Sequence, residues 1–291
     1  MYKEVALDPA CMAEYHYYAL IKREFGFDKG RYAAAEVKEW AKAAVKFVKD
    51  SDLQPVKKSS IKTFLNRVQR GKESSTFLLA GDRKAVAGID WNTWWNAQQQ
   101  VRGFSVSISD GGVEGAVSHD EILEGCEQWE IPASTSVERS AEDIIGVLDP
   151  LLLMSKEVIL VDQYFRLSKN GSLEELVRLL NGSSVSSLTI VSSMGTPNAQ
   201  QVYAREYKPL NNRGFKFVWI NAPDKYFHDR YVVTDIGALR AGHGFMPEIK
   251  KGTHADKLNF NLISKEEAQG VRDSLFEVLD KGVANTVLDI Q

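Results

Sequence analysis

Three stretches of almost unbroken apolar residues, each separated from the next by a helical pattern, constrain this chain more than any other feature. They read EVILVDQYF over 157–165, SLTIVSS over 187–193 and FKFVWINA over 215–222. A strand that faces water on one side alternates apolar with polar residues, so an uninterrupted run is expected of a strand covered on both faces. Between and around these runs lie amphipathic segments: EDIIGVLDPLLLMS, SLEELVRLLN, NAQQVYAREYKPLNN and, near the end, KEEAQGVRDSLFEVLDKG. Ser172 with Glu175, and Ser264 with Glu267, have the spacing of capping boxes at two of the helix starts. FHDRYVVTD reads as a fourth strand, GALRAGHGF as a fifth, followed by KLNFNLIS. Strands alternating with helices predict an α/β domain with a mainly parallel sheet, helices on both sides and an antiparallel pair at the end.

The first eighty residues read differently. Apolar positions recur at spacings of three and four in YHYYALIKREFGF and in AAAEVKEWAKAAVKFVKD, which predicts helices. Pro55 interrupts the pattern, and a further helix beginning near Ser59 or Ser60 carries IKTFLNRVQRGK. Its apolar stripe is Ile61, Phe64, Leu65 and Val68. The stretch 76–140 gives mixed signals: TFLLA and FSVSIS are strand-like, SDGGVEG is a turn, and IDWNTWW clusters three tryptophans. Trp91, Trp94 and Trp95 have two readings, as base-stacking platforms or as core packing. The expected organisation is a helical basic domain over 1–75, a mixed acidic connection over 76–140 and an α/β domain over 141–291.

Charge is distributed unevenly in a way that the net value of -3 conceals. Residues 20–72 carry 14 Lys or Arg against six Asp or Glu, whereas residues 101–150 carry two Arg against 11 acidic residues. The first stretch is suited to a polyanion and the second repels one. Lys57, Lys58, Lys62, Arg67 and Arg70 are the candidate contacts to nucleic acid; the other reading of such a helix is an ordinary solvated face. Cys11 and Cys126 form neither a CxxC pair nor a zinc-ligand spacing. The chain opens without the charged-then-apolar pattern of an export signal, and no apolar run approaches the length of a membrane span, so a cytoplasmic protein is expected.

The residues with the chemistry to handle phosphate lie in HDRYVVTDIGALRAG. His228, Arg230, Asp235 and Gly242 fall at the spacing H-x-R-x4-D-x6-G, and on a strand His228 and Arg230 would leave the same face. This resembles the signature of the phospholipase D superfamily, H-x-K-x4-D-x6-G-S-x-N. The resemblance covers the C-terminal half and implies a phospholipase D-like α/β/α sandwich. It further implies that His228 attacks phosphorus, Arg230 holds phosphate oxygens in place of the family's Lys, Asp235 supports the His, and no metal or other cofactor is needed. Gly242, His243, Gly244 and Phe245 stand where the family has G-S-x-N, so the usual Ser and Asn are missing. In this the chain also resembles the degenerate phospholipase D-like domain of certain MIT-domain proteins, a binding module. Active members use two motifs and this chain has one, which implies a homodimer. Ligands of open α/β sheets sit beyond the carboxyl ends of strands, which adds Asp162, Gln163, Tyr164, Ser192 and Ser193 as candidate phosphate contacts. Two functions follow: a metal-independent nuclease or phosphodiesterase, suited to restriction or phage defence, or a non-catalytic adaptor for a phosphorylated ligand, nucleic acid or lipid headgroup.

Overall fold

In a computed structural model that describes all residues except 84–89 and 248–256, the chain divides between Ile131 and Pro132 into two units. The division lies elsewhere than the boundaries at 75 and 140 expected from sequence. Residues 76–131 do not connect two domains; they complete the first one.

The first unit is α/β and not simply helical. Strands β1 (Lys3–Leu7), β2 (Arg31–Ala34), β3 (Phe77–Leu78) and β4 (Val106–Ile108) form a parallel sheet in the order β3-β2-β1-β4. Helices α1 (Tyr15–Glu24), α2 (Val37–Asp50), α3 (Pro55–Gln69), α4 (Trp91–Val101) and α5 (His119–Glu124) connect and flank it. β1 and β2, of five and four residues, give too little periodicity to be read, and their continuation into helical text hid them, whereas β3 and β4 fall within the strand-like TFLLA and FSVSIS. Pro55 does not break the pattern but is the first residue of α3, where a missing N–H costs nothing. The α3 stripe packs as read: Ile61, Phe64, Leu65 and Val68 are buried with Trp40, Ala44 and Val48 of α2 and with Phe77. Trp94 is buried against Phe104, and Trp91 stacks on Trp95, which favours packing as their role; Ile89 of that cluster lies outside the described residues.

The second unit carries an eight-stranded mixed sheet, ordered β12-β8-β7-β6-β9-β10-β11-β5. The three apolar runs are β6 (Glu157–Val161), β7 (Ser187–Ser192) and β8 (Lys216–Asn221), adjacent and parallel at its centre. β9 (Arg230–Thr234), β10 (Ala238–Ala241) and β11 (Lys257–Leu262) follow as antiparallel neighbours beside β6. Two edge strands were not anticipated: β5 (Ser134–Glu138) beside β11, and β12 (Asn285–Ile290) beside β8. Helices α6 (Ala141–Met154), α7 (Gly171–Leu180), α8 (Ala199–Glu206) and α9 (Lys265–Asp280) join them. Ser264 caps α9 by accepting from the Glu267 N–H, the serine half of the expected box. α7 is capped instead by Asn170, whose side chain accepts from the Leu173 N–H, and Ser172 lies buried inside the first turn. No helix among the described residues is long and apolar enough to cross a membrane.

Candidate phosphate site and basic helix surface

Strand directions assemble the site. β9 is antiparallel to β6 with Tyr231 opposite Val161, and Arg230 lies opposite Ala241 of β10. The start of β9 therefore meets the ends of β6 and β10 along one edge of the sheet. Three segments converge there: Asp162–Tyr164, His228–Arg230 and Gly242–Phe245.

Asp162 is the keystone of this edge. It is fully buried, and its two carboxylate oxygens accept from the backbone N–H of Tyr164 at 3.0 Å and of Phe245 at 2.8 Å. Burial pushes its carboxyl above the ordinary range, opposed by these two N–H groups and by the guanidinium groups of Arg230 and Arg139. A Cβ on Gly244 would come within 2.9 Å of Asp162 Oδ2, so glycine is required there by close approach. Arg139 donates to the carbonyl oxygens of Gly244 at 3.2 Å and Met246 at 3.4 Å and so holds the same loop from outside. Asp162 thus organises this edge of the sheet from within, with each carboxylate oxygen engaged by a backbone N–H. Neither Arg139 nor the Gly244 contact was legible, because both depend on residues far apart in the chain.

Arg230 is half-buried, with its guanidinium 5.8 Å from the ring centre of Tyr164. One terminal nitrogen donates to the His228 carbonyl at 3.1 Å, while its buried Nε has no hydrogen-bond partner among the described residues. The group is preoriented yet retains donors in the fork geometry that suits a phosphate. Tyr164 is 54% exposed. His228 is exposed and precedes β9, so it does not share a strand face with Arg230; the backbone bond joins them instead. Gly242 and His243 are exposed on the neighbouring loop, with the Gly242 N–H bonded to the Asn259 carbonyl at 2.9 Å.

Asp235 lies apart from this group. It sits beyond the other end of β9, on the order of 20 Å from His228 by strand rise, and accepts from the N–H of Lys156 at 2.8 Å and of Glu157 at 3.3 Å. It caps the entry to β6 and cannot orient the His228 imidazole. Ser192 and Ser193 lie at the end of β7 and are committed to the loop after β6. Ser192 donates to the Phe165 carbonyl at 2.7 Å and Ser193 to that of Gln163 at 2.6 Å. They fix the loop that carries Tyr164.

The basic residues of α3 lie on the first unit. Lys57 sits 5.1 Å from the ring of Tyr15, Lys58 donates to the Lys49 carbonyl at 3.1 Å, and Lys62 is half-buried. Arg67 pairs with Glu73 at 2.9 Å and Arg70 is exposed at the helix end. A second basic row was missed. Lys38, Lys42, Lys46 and Lys49 recur in steps of three or four along α2 and are all exposed; the spacing in VKEWAKAAVKFVKD could have revealed it.

Neither a scan against protein-family models nor a search of curated proteins matches this chain. Among solved structures it is similar to TrmBL2, described as an archaeal chromatin protein that shows a novel mode of DNA binding. That likeness has a TM-score of 0.31 and 12% identity, over 79% of this chain and 86% of that one. Neither fold nor function is transferred at such a level.

Proposed function

We propose that the C-terminal unit is a phospholipase D-like binding module that takes a nucleic-acid phosphodiester, with Arg230 as its principal phosphate contact. The observation that carries this reading is the half-buried Arg230 guanidinium, oriented by Tyr164 and the His228 carbonyl and left with an unsatisfied Nε. The central parallel strands with the H-x-R segment beside them support the family resemblance. The exposed lysines and arginines of α2 and α3 support nucleic acid as the source of the phosphate, since a row of cations releases counterions from a polyanion. Binding without turnover is preferred because Asp235 is engaged at the far end of β9.

The test is fluorescence anisotropy with single-stranded DNA, duplex DNA and RNA. Arg230→Ala removes charge-assisted hydrogen bonds and is expected to weaken binding by about tenfold to about a hundredfold. Unchanged affinity for all three probes would overturn the assignment.

The second reading is metal-independent cleavage through His228, favoured by the exposure of that imidazole next to Arg230. It requires a second imidazole as proton donor, supplied by His228 of a second copy in a homodimer. Cleavage in EDTA that disappears in His228→Ala, by a protein that light scattering finds dimeric, would establish it; no cleavage, or a monomer, leaves the binding module.

A further inference from the structure

The first unit contains a cavity of about 790 Å³ at the carboxyl ends of β1 and β2, between α2 and the first turn of α4. That is the side of a parallel sheet on which α/β folds place ligands, and the size suits a small molecule. One face of α2 forms its length. Glu36, Glu39, Ala43, Phe47 and Asp50 follow one another in steps of three or four, so they line one side, and the small Ala43 leaves room at the middle. Half-buried Trp91 and Phe47, which is 44% exposed, offer aromatic surface, while Trp40 and Trp94 border the cavity largely buried.

Five carboxylates line this space, those of Asp8, Glu36, Glu39, Asp50 and Asp90, against two ammonium groups, Lys42 and Lys46. Three of the acids also have structural duties. Asp8 accepts from the Ala10 N–H and the Ser109 hydroxyl, Glu36 caps α2, and Asp90 caps α4. Glu39 and Asp50 cap no helix, are exposed, and contribute charge to the groove, although Lys42 lies 3.8 Å from Glu39. Lys42 and Lys46 follow one another on the neighbouring stripe of α2 and also line the cavity, where the acids outnumber them. An anion would meet net repulsion inside, and a purely apolar ligand would strip water from carboxylates with no return. Aromatic faces and carboxylates together select a cation with an apolar body.

We propose that this cavity binds a small organic cation carrying an apolar or aromatic group, independently of any phosphate chemistry in the C-terminal unit. The test is calorimetry and tryptophan fluorescence on the full chain with benzyltrimethylammonium, and with benzoate as the anion of similar shape. Saturable binding of the cation alone is expected, weakened about tenfold in Trp91→Ala and again in Glu39→Gln with Asp50→Asn. The paired variant alters exposed positions and keeps the test intact if Trp91→Ala misfolds. No saturable response to the cation, an equal response to benzoate, or undiminished affinity in the paired variant would overturn the proposal.

Discussion

Gly244 and Asp162 show how a single position can govern a site that it does not enter. Gly244→Ala places a methyl group 2.9 Å from a buried carboxylate that is pinned by two N–H groups. The loop or the carboxylate must yield, at a cost of about 1–3 kcal/mol, measurable by thermal unfolding, with weaker phosphate binding in parallel. Asp162 makes stability depend on pH. Its folded carboxyl lies above the ordinary value of about 3.9, so the folded state holds the proton more tightly than the unfolded chain. That contribution is fully present below the ordinary value and is lost as pH rises through the folded one. The unfolding free energy of wild type relative to Asp162→Asn should therefore decline with rising pH in a denaturant series, and a flat difference would contradict it. In the first unit, fully buried Glu4 accepts from Arg83 at 2.7 and 2.6 Å and from Arg102 at 2.9 Å. Glu4→Ala should cost about 3–5 kcal/mol in chemical denaturation, because the buried Arg83 guanidinium loses its counterion, whereas Arg102 keeps Asp82 at 2.7 Å. The sequence motif drew attention to Arg230 and to the loop around Gly242. It could not reveal that Asp162 lies beneath Arg230 or that Asp235 faces away, since strand pairing decides both.

Elements were legible in proportion to their length and periodicity. The long apolar runs of β6, β7 and β8 and the stripes of α2 and α3 were readable because each repeats its pattern over at least two turns or several strand residues. β1 and β2 were not, because KEVAL and RYAA are buried at every position but Lys3 and carry no alternation to distinguish them from helix text. On α3 the basic residues stand outside the buried stripe, so they can be changed without disturbing the core. Replacing Lys57, Lys58, Lys62 and Arg67 by Glu should abolish retention of nucleic acid. In wild type the logarithm of affinity should fall linearly with the logarithm of salt, by about 0.9 for each duplex phosphate neutralised. A slope near zero would make α3 a solvated face. Arg67 should contribute least of the four, because Glu73 already neutralises it.

At the scale of the whole chain, the acidic stretch 101–150 does not form one body, since the boundary at Ile131 and Pro132 cuts through it. Within the first unit, its acidic residues could compete with nucleic acid for the basic surface of α2 and α3, and that competition can be tested. Glu121 completes a capping box with Ser118 and is unsuitable for neutralisation, whereas Glu124 and Glu127 are exposed. Changing those two to Gln should tighten binding in the same anisotropy assay if competition operates, and unchanged affinity would refute it. The pairing pattern also sets an order of events during synthesis. In the first unit every strand partner has been made by Ile108, so its sheet can close while the second half is still being translated. In the second unit β5 finds its neighbour only in β11, with Ser134 opposite Asn261, and β8 waits for β12. Ribosome transit thus gives the first unit time to bury its apolar surface before the strands of the second compete for pairing.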